Sequence, residues 1–103
     1  MPNQNTIPVS QALDWVTRWR GSSEVMPIKG FLIPGADLTE VLAEKGVVNT
    51  RAYMGMDENN EYHLLIVGVD DSGNDMLDED QGQYVYDFTQ PCPPICSATG
   101  PLR

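Results

Sequence analysis

The only two cysteines in the chain, Cys92 and Cys96, enclose the short segment Pro93-Pro94-Ile95. Thiolates bind zinc and other thiophilic metals, and two thiols can also form a disulfide or take part in redox chemistry. Metal and redox motifs usually place two residues between their cysteines, whereas this pair has three. We therefore expect two reduced thiols buried as small apolar groups, with a disulfide or a metal site as the alternatives.

The single histidine, His63, is the candidate for a third metal ligand or for a general base. It lies in the apolar segment 62–69, on the same predicted strand face as Leu65 and Val67. A general base needs a hydrogen-bonding partner and a pocket, and the sequence places no serine or cysteine nucleophile beside this residue. We interpret His63 as a structural residue, either packed or exposed at a sheet edge.

A run rich in acidic residues extends from Asp70 to Gln81, and its spacing invites comparison with a calcium-binding loop. Positions one and nine of such a loop would be Asp70 and Asp78, which makes them candidate metal ligands. However, Asp75 stands where the loop needs glycine, and Gln81 stands where it needs a bidentate glutamate. The sequence therefore favours a solvated acidic loop, with calcium binding as the alternative.

Charge is distributed unevenly along the chain, whose net charge is −9. Residues 1–51 carry five acids and five bases, whereas residues 52–102 carry ten acids and no lysine or arginine. This second half would repel nucleic-acid phosphates and anionic membranes, so we predict that the protein binds neither. An acidic surface suits a basic protein partner, a cation, or solubility alone.

The arrangements typical of enzymes are missing from the sequence. The glycines form no phosphate-binding loop, and no nucleophile stands near a base in a recognisable pattern. We therefore predict a protein without catalytic activity and without a cofactor. The longest clean apolar run, Leu64 to Val67, is far shorter than the roughly 20 residues of a membrane span, and the N-terminus lacks the features of a secretory signal. We expect a cytoplasmic protein, with a processed secreted form as the alternative.

Two helices are predicted in the first half of the chain. In residues 10–20, Ser10 is the expected N-cap, and Trp15 and Trp19 share one apolar face. We place both tryptophans in the core, with an exposed binding stripe as the alternative. A strand at 28–33 precedes a second helix, in which Asp37 and Glu40 have the spacing of a capping box.

From residue 48 onward the pattern changes to short strands separated by turns. Strands are predicted at 50–56, 62–69, 75–77 and 83–89, with turns at 57–60 and 71–74. These elements predict a small single α+β domain with a mainly antiparallel sheet of four to five strands and two helices on one face. The link from strand 28–33 through the second helix to strand 50–56 could form a parallel crossover. A polar arm at 1–8 precedes the domain at 9–89, and a proline-rich tail follows at 90–103.

Together these features predict a small, acidic, non-catalytic module that binds a protein partner with a basic surface. The binding residues are expected to be acids and tyrosines of the second half of the chain: Asp57, Glu58, Glu61, Asp70, Asp71, Asp75, Asp78, Glu79, Asp80, Tyr53, Tyr62, Tyr84 and Tyr86. The alternative is a metal- or thiol-dependent sensor or carrier that uses Cys92, Cys96 and His63, or the acidic loop 70–80. The sequence predicts neither the identity of the partner nor the oligomeric state.

Overall fold

The computed structural model describes residues 5–22 and 28–101. In chain order its elements are β1 (Thr6–Ile7), α1 (Val9–Arg20), β2 (Gly30–Leu32), α2 (Gly35–Ala43), β3 (Asn49–Met56), β4 (Tyr62–Val69), β5 (Asp75–Met76), a short 3-10 helix (Glu79–Gln81), β6 (Val85–Tyr86) and β7 (Gln90–Cys92). No helix within the described ranges is long and apolar enough to cross a membrane.

The hairpin of β3 and β4 is the largest unit of the main sheet. Its register runs without interruption from Asn49 opposite Val69 to Met56 opposite Tyr62. The connecting turn closes because Asp57 Oδ1 accepts hydrogen bonds from the backbone N–H groups two and four residues later. The predicted bounds of β4 are confirmed, and β3 begins one residue earlier than predicted.

Strand β4 occupies the centre of the main sheet, which has the order β1-β6-β4-β3. Beside β6, the short strand β5 also pairs with β4, at Gly68 and Val69. Every pairing between described strands is antiparallel, which confirms the predicted sheet type. The expected crossover is wrong, because β2 does not join this sheet and instead pairs with β7.

The two helices cover opposite faces of the main sheet, which differs from the expectation that both lie on one face. Helix α1 packs on a core cluster that includes Leu65 and Val67, whereas Val41 of α2 packs on Ile66. Successive side chains of a strand point to opposite faces, so β4 supplies apolar contacts to both helices. The sequence of β4 is almost continuously apolar, as expected of a central strand that is covered on both faces.

Trp15 anchors α1 on the hairpin, which confirms its predicted place in the core. Its side chain is 6 % exposed. Gly55 of β3 lies directly beneath it, and a Cβ atom at this glycine would stand 3.1 Å from both the Trp15 Cβ and the Leu65 Cδ1 atoms. The absence of a side chain at Gly55 therefore lets α1 approach the sheet closely, while Trp19 is only half-buried.

Both helices begin directly after a proline rather than at the predicted caps. Pro8 and Pro34 are the N-cap residues, both extended, and neither helix end has a side-chain cap. Proline has its φ angle already restricted, so it leads into the first helical turn at little cost in entropy. Ser10 consequently lies inside α1, and Asp37 lies inside α2, where it is buried and bonded to another part of the chain.

Segments outside the predicted boundaries 9–89 also take part in the fold. Strand β1, from the predicted arm, pairs with β6, and its neighbour Asn5 is buried. Strand β7, from the predicted tail, pairs with β2 through Gly30 and Cys92. The first four residues of the arm and the last two of the tail lie outside the described residues.

We expect the substitution Gly68→Ala to lower the free energy of unfolding by about 1–3 kcal/mol, because the core on the α2 side has no room for a methyl group. A Cβ atom there would lie 2.5 Å from Val47 Cγ2. The matched control is Gly30→Ala, also in a strand, where a Cβ atom would meet nothing within 4 Å. Urea unfolding midpoints measure both variants, and equal midpoints would contradict the close packing at Gly68.

Candidate functional site

A groove lies between α1 and the main sheet, with a volume of about 360 Å³. One wall comes from α1, the floor includes Leu65 and Val67 of β4, and Leu77 closes the far side. Leu13 is 65 % exposed and Leu77 is 38 % exposed, so the groove opens to solvent between them. A groove of this size and lining is typical of small-molecule sites.

Two charged residues line the groove, and they differ in what they bind. Asp75 accepts a hydrogen bond from Arg51 on Oδ1, at 2.5 Å, and another from the Tyr53 hydroxyl on Oδ2. The hydrogen bond to Asp75, with burial, raises the pKa of Tyr53 above its usual value. Arg20, at the C-terminal end of α1, forms no ion pair with any described residue. Among the described residues, the charge of this groove that has no ionic partner is therefore positive.

His63 has a hydrogen-bonding partner that the sequence did not predict. Its Nε2 atom lies 2.8 Å from Asp57 Oδ2, and the Trp15 ring covers it with a centroid distance of 4.2 Å. Burial of Asp57 opposes its ionisation, but the hydrogen bonds from His63 and from two backbone N–H groups outweigh it and lower the pKa. In the described part of the chain, no serine, threonine or cysteine side chain forms a hydrogen bond with His63. The contact between its ring and that of Trp15 joins α1 to the β3–β4 hairpin.

Carboxyl groups on α2 and at its C-terminal end face the sheet. This group was not predicted from the sequence. Asn5 Nδ2 donates to Asp37 Oδ1 at 2.8 Å and to Glu40 Oε2 at 2.5 Å. Asp37 is 0 % exposed, and its Oδ2 atom has no hydrogen-bond partner among the residues that the structure describes. Burial raises the pKa of Asp37 despite the hydrogen bond from Asn5. The signal was the spacing: Asp37, Glu40 and Glu44 are three and four residues apart, on one helix face with Val41.

Glu44, just beyond the end of α2, binds two of the predicted aromatic contact residues. Its Oε2 atom accepts from the Tyr86 hydroxyl at 2.6 Å and from the Tyr84 backbone N–H at 3.1 Å. Burial raises the pKa of Glu44, and burial together with this hydrogen bond raises the pKa of Tyr86. Tyr86 is buried in the core and is not available to a partner, while Tyr53, Tyr62 and Tyr84 are half-buried.

Three of the predicted binding acids build the turns in which they stand. Besides Asp57, Asp70 Oδ1 accepts from the backbone N–H groups of Ser72 and Asn74 at 2.9 and 3.0 Å. Asp78 Oδ1 accepts from the N–H group of Asp80 at 3.1 Å. Aspartate favours turns because its side chain bonds to nearby backbone groups in this way. The turn role of these acids accounts for their positions without any ligand.

The acidic turns do not form one continuous surface. The turn that carries Glu58 and Glu61 precedes β4, whereas the turn that carries Asp71 follows it. An eight-residue strand separates its two ends by roughly 26 Å. Exposed acids therefore fall into separate groups, one with Glu58 and Glu61, and one in the segment 70–80, where Asp71, Asp78, Glu79 and Asp80 are exposed.

The candidate metal ligands do not converge. Within residues 5–22 and 28–101, no group of three or more His, Cys, Asp or Glu side chains is placed to hold a metal ion. His63 is bonded to Asp57, and Asp70 and Asp78 hold their own turns. The cysteines, the remaining candidates, are bonded to each other.

Cys92 and Cys96 form a disulfide, so the expectation of two reduced thiols is wrong. Strand β7 ends at Cys92, and the chain then reverses, with the N–H group of Ile95 donating to the Pro91 carbonyl at 2.9 Å. This reversal brings the two Cα atoms to 4.7 Å, within the range that a disulfide spans. The sequence could not predict the bridge, because it depends on how tightly the proline pair turns.

Comparisons with known proteins identify no relative of this chain. No model of a known protein family matches it, and neither a curated protein nor a solved structure is significantly similar. Its function therefore has to be argued from its own residues.

The substitution Glu44→Gln should change how stability depends on pH. The glutamine side chain can still accept from Tyr86 and Tyr84, but it cannot ionise. A carboxyl whose folded-state pKa is raised binds its proton more tightly in the folded protein, so its contribution to stability is lost as the pH rises above its usual value of 4.5. We expect the variant to gain stability relative to the wild type as the pH rises above 4.5.

Denaturant unfolding across this pH range measures the effect. The exposed substitution Glu79→Gln, which also removes one negative charge, is the control and should give a much smaller trend. Parallel pH profiles for the two variants would contradict the role assigned to burial at Glu44.

Alkylation measures the state of the two cysteines. We expect the purified, non-reduced protein to take up no iodoacetamide and to be lighter by two hydrogens than the reduced chain, because both sulfur atoms are in the disulfide. After reduction and unfolding it should take up two labels. Two labels on the untreated protein would show free thiols instead.

Proposed function

We propose that the protein is a small, non-catalytic binding module whose partner is a protein with a basic surface. One observation carries this proposal: the segment 70–80 exposes Asp71, Asp78, Glu79 and Asp80, and it contains no lysine or arginine. Other acids of the segment are occupied, since Asp70 and Asp78 hold turns and Asp75 is paired with Arg51. The free negative charge is therefore concentrated in Asp71, Glu79 and Asp80.

Charge of this kind acts mainly on the rate and selectivity of association. A negative surface attracts a positive one before contact, and it repels nucleic acids and anionic membranes. Because the Debye length is about 8 Å at physiological ionic strength, the attraction weakens as salt is added. A partner of this module should accordingly carry exposed lysine and arginine residues, and its affinity should be sensitive to salt.

For an enzymatic function, His63, the one histidine, is a candidate general base. Its contacts with Asp57 and Trp15 are explained by the packing of α1 on the hairpin, and a hydrogen-bonded nucleophile is not among its described neighbours. The alternative of a metal- or thiol-dependent sensor or carrier stays a prediction. Its thiol form would require reduction of the Cys92–Cys96 bond.

The predicted cytoplasmic location also stays a prediction. A persistent disulfide is typical of oxidising compartments, so the bond between Cys92 and Cys96 favours such a compartment over the cytoplasm. Alkylation of the two thiols in intact producing cells, before lysis, tests this point directly.

The triple substitution Asp71→Asn, Glu79→Gln and Asp80→Asn should weaken binding to the partner about tenfold. None of these side chains holds a turn, so the fold should be retained. Exposed charge pairs contribute about 0.2–1 kcal/mol each, and three together approach a factor of ten. The measurement compares the basic proteins recovered from extracts of the producing cell by immobilised wild type and variant, at low and high salt.

The matched control removes three exposed acids elsewhere, with Asp14→Asn, Glu58→Gln and Glu61→Gln. We expect this control to recover the same proteins as the wild type at low salt. Equal recovery by the first variant, or recovery that does not fall at high salt, would rule out the segment 70–80 as the binding surface.

A further inference from the structure

We propose that the groove between α1 and the main sheet binds a small amphipathic carboxylate, with its apolar chain in the groove and its carboxylate on Arg20. This inference does not rest on the proposed protein partner, which concerns the acids of the segment 70–80. It rests on the shape of the groove, on its apolar lining and on the pairing of its charged residues.

The walls of the groove favour an apolar chain. The volume of about 360 Å³ is within the range of ligand sites in proteins, about 300–1,000 Å³. Val16, Leu65, Val67 and other aliphatic side chains line its interior. A ligand that lies between Leu13 and Leu77 would remove both exposed side chains from water, and this burial supplies the driving force.

The mouth of the groove selects the head group. Of its two charged lining residues, Asp75 already uses both carboxylate oxygens, on Arg51 and on Tyr53. Arg20 is exposed and is in no ion pair with a described residue, whereas its helix neighbour Arg18 is paired with Asp14 at 3.6 Å. A guanidinium beside an apolar groove fits a carboxylate, which it can bind through two parallel hydrogen bonds.

The overall charge of −9 does not remove this preference. Charges more than about 8 Å apart in water are largely screened at physiological ionic strength. Near the groove, the charge of Asp75 is offset by the adjoining Arg51, and that of Asp14 by Arg18. The guanidinium in direct contact with the ligand therefore decides which head group binds.

Two probes with the same alkyl chain and opposite charge test the proposal: octanoate and octylammonium. The protein is titrated with each, and the methyl resonances of Leu13, Val16 and Leu77 are followed by heteronuclear NMR. We expect saturable shifts at these methyl groups with octanoate, and binding at least about threefold tighter than that of octylammonium, as an exposed ion pair provides.

Substitutions at the mouth separate charge selection from apolar binding. Arg20→Gln should remove the preference for octanoate, and Arg20→Glu should reverse it in favour of octylammonium. Lys45→Gln, which removes an exposed positive charge outside the groove, is the control and should keep the wild-type preference. Leu13→Glu should weaken octanoate binding, whereas Leu42→Glu, at the 57 % exposed position on α2, should not.

Four results would each overturn the proposal. The first is the absence of saturable methyl shifts in the groove with octanoate. The second is binding of octylammonium to the wild type as tightly as octanoate. The third is a set of shifts spread equally over Leu42 and the groove, and the fourth is an Arg20→Glu variant that retains the preference for octanoate. Because Arg20 is exposed, this variant should fold, and a thermal unfolding curve like that of the wild type verifies it.

Discussion

The burial of β4 on both faces is the constraint on which the rest of the structure depends. Leu65 and Val67 point to α1, while Ile66 points to α2, so one strand holds both helices. Two glycines make this double packing close: Gly55 in β3 admits Trp15, and Gly68 in β4 admits Val47. A chain of 103 residues can bury only a modest core. A strand packed between two helices buries apolar residues on both of its faces.

The same packing buries oxygen atoms of ionisable groups. On the α2 side, Asp37 and Glu44 are held by Asn5 and Tyr86, yet each keeps one buried oxygen that has no partner among the described residues. Burial raises the pKa of both carboxyls, because it disfavours the charged form more than these hydrogen bonds favour it. On the α1 side the balance is reversed, and the pKa of Asp57 is lowered. The two faces of the sheet thus respond oppositely to acidification.

The acidic half of the chain combines two uses of aspartate and glutamate. Asp57, Asp70 and Asp78 accept backbone hydrogen bonds and shape the turns. Others, such as Glu79 and Asp80, stay exposed and give the segment 70–80 its negative surface. The groove under α1 adjoins this segment, because Asp75 and Leu77 are among the residues that line it. A protein partner and a small carboxylate would therefore bind to adjoining parts of the surface.

Local patterns in the sequence determined the α+β class, the antiparallel hairpin and the position of β4, because alternation, turn residues and helix periodicity act over short stretches of chain. The composition determined the net charge, and helix periodicity located Trp15 in the core. Only the tertiary structure decided which faces the helices cover and that Asp37 is buried rather than a cap. It also decided that His63 meets Asp57, that Cys92 meets Cys96 and that Arg20 borders a groove. These outcomes depend on contacts between residues that are distant in sequence, or on the path of a turn. The spacing of residue types along a short stretch of chain determines neither of these.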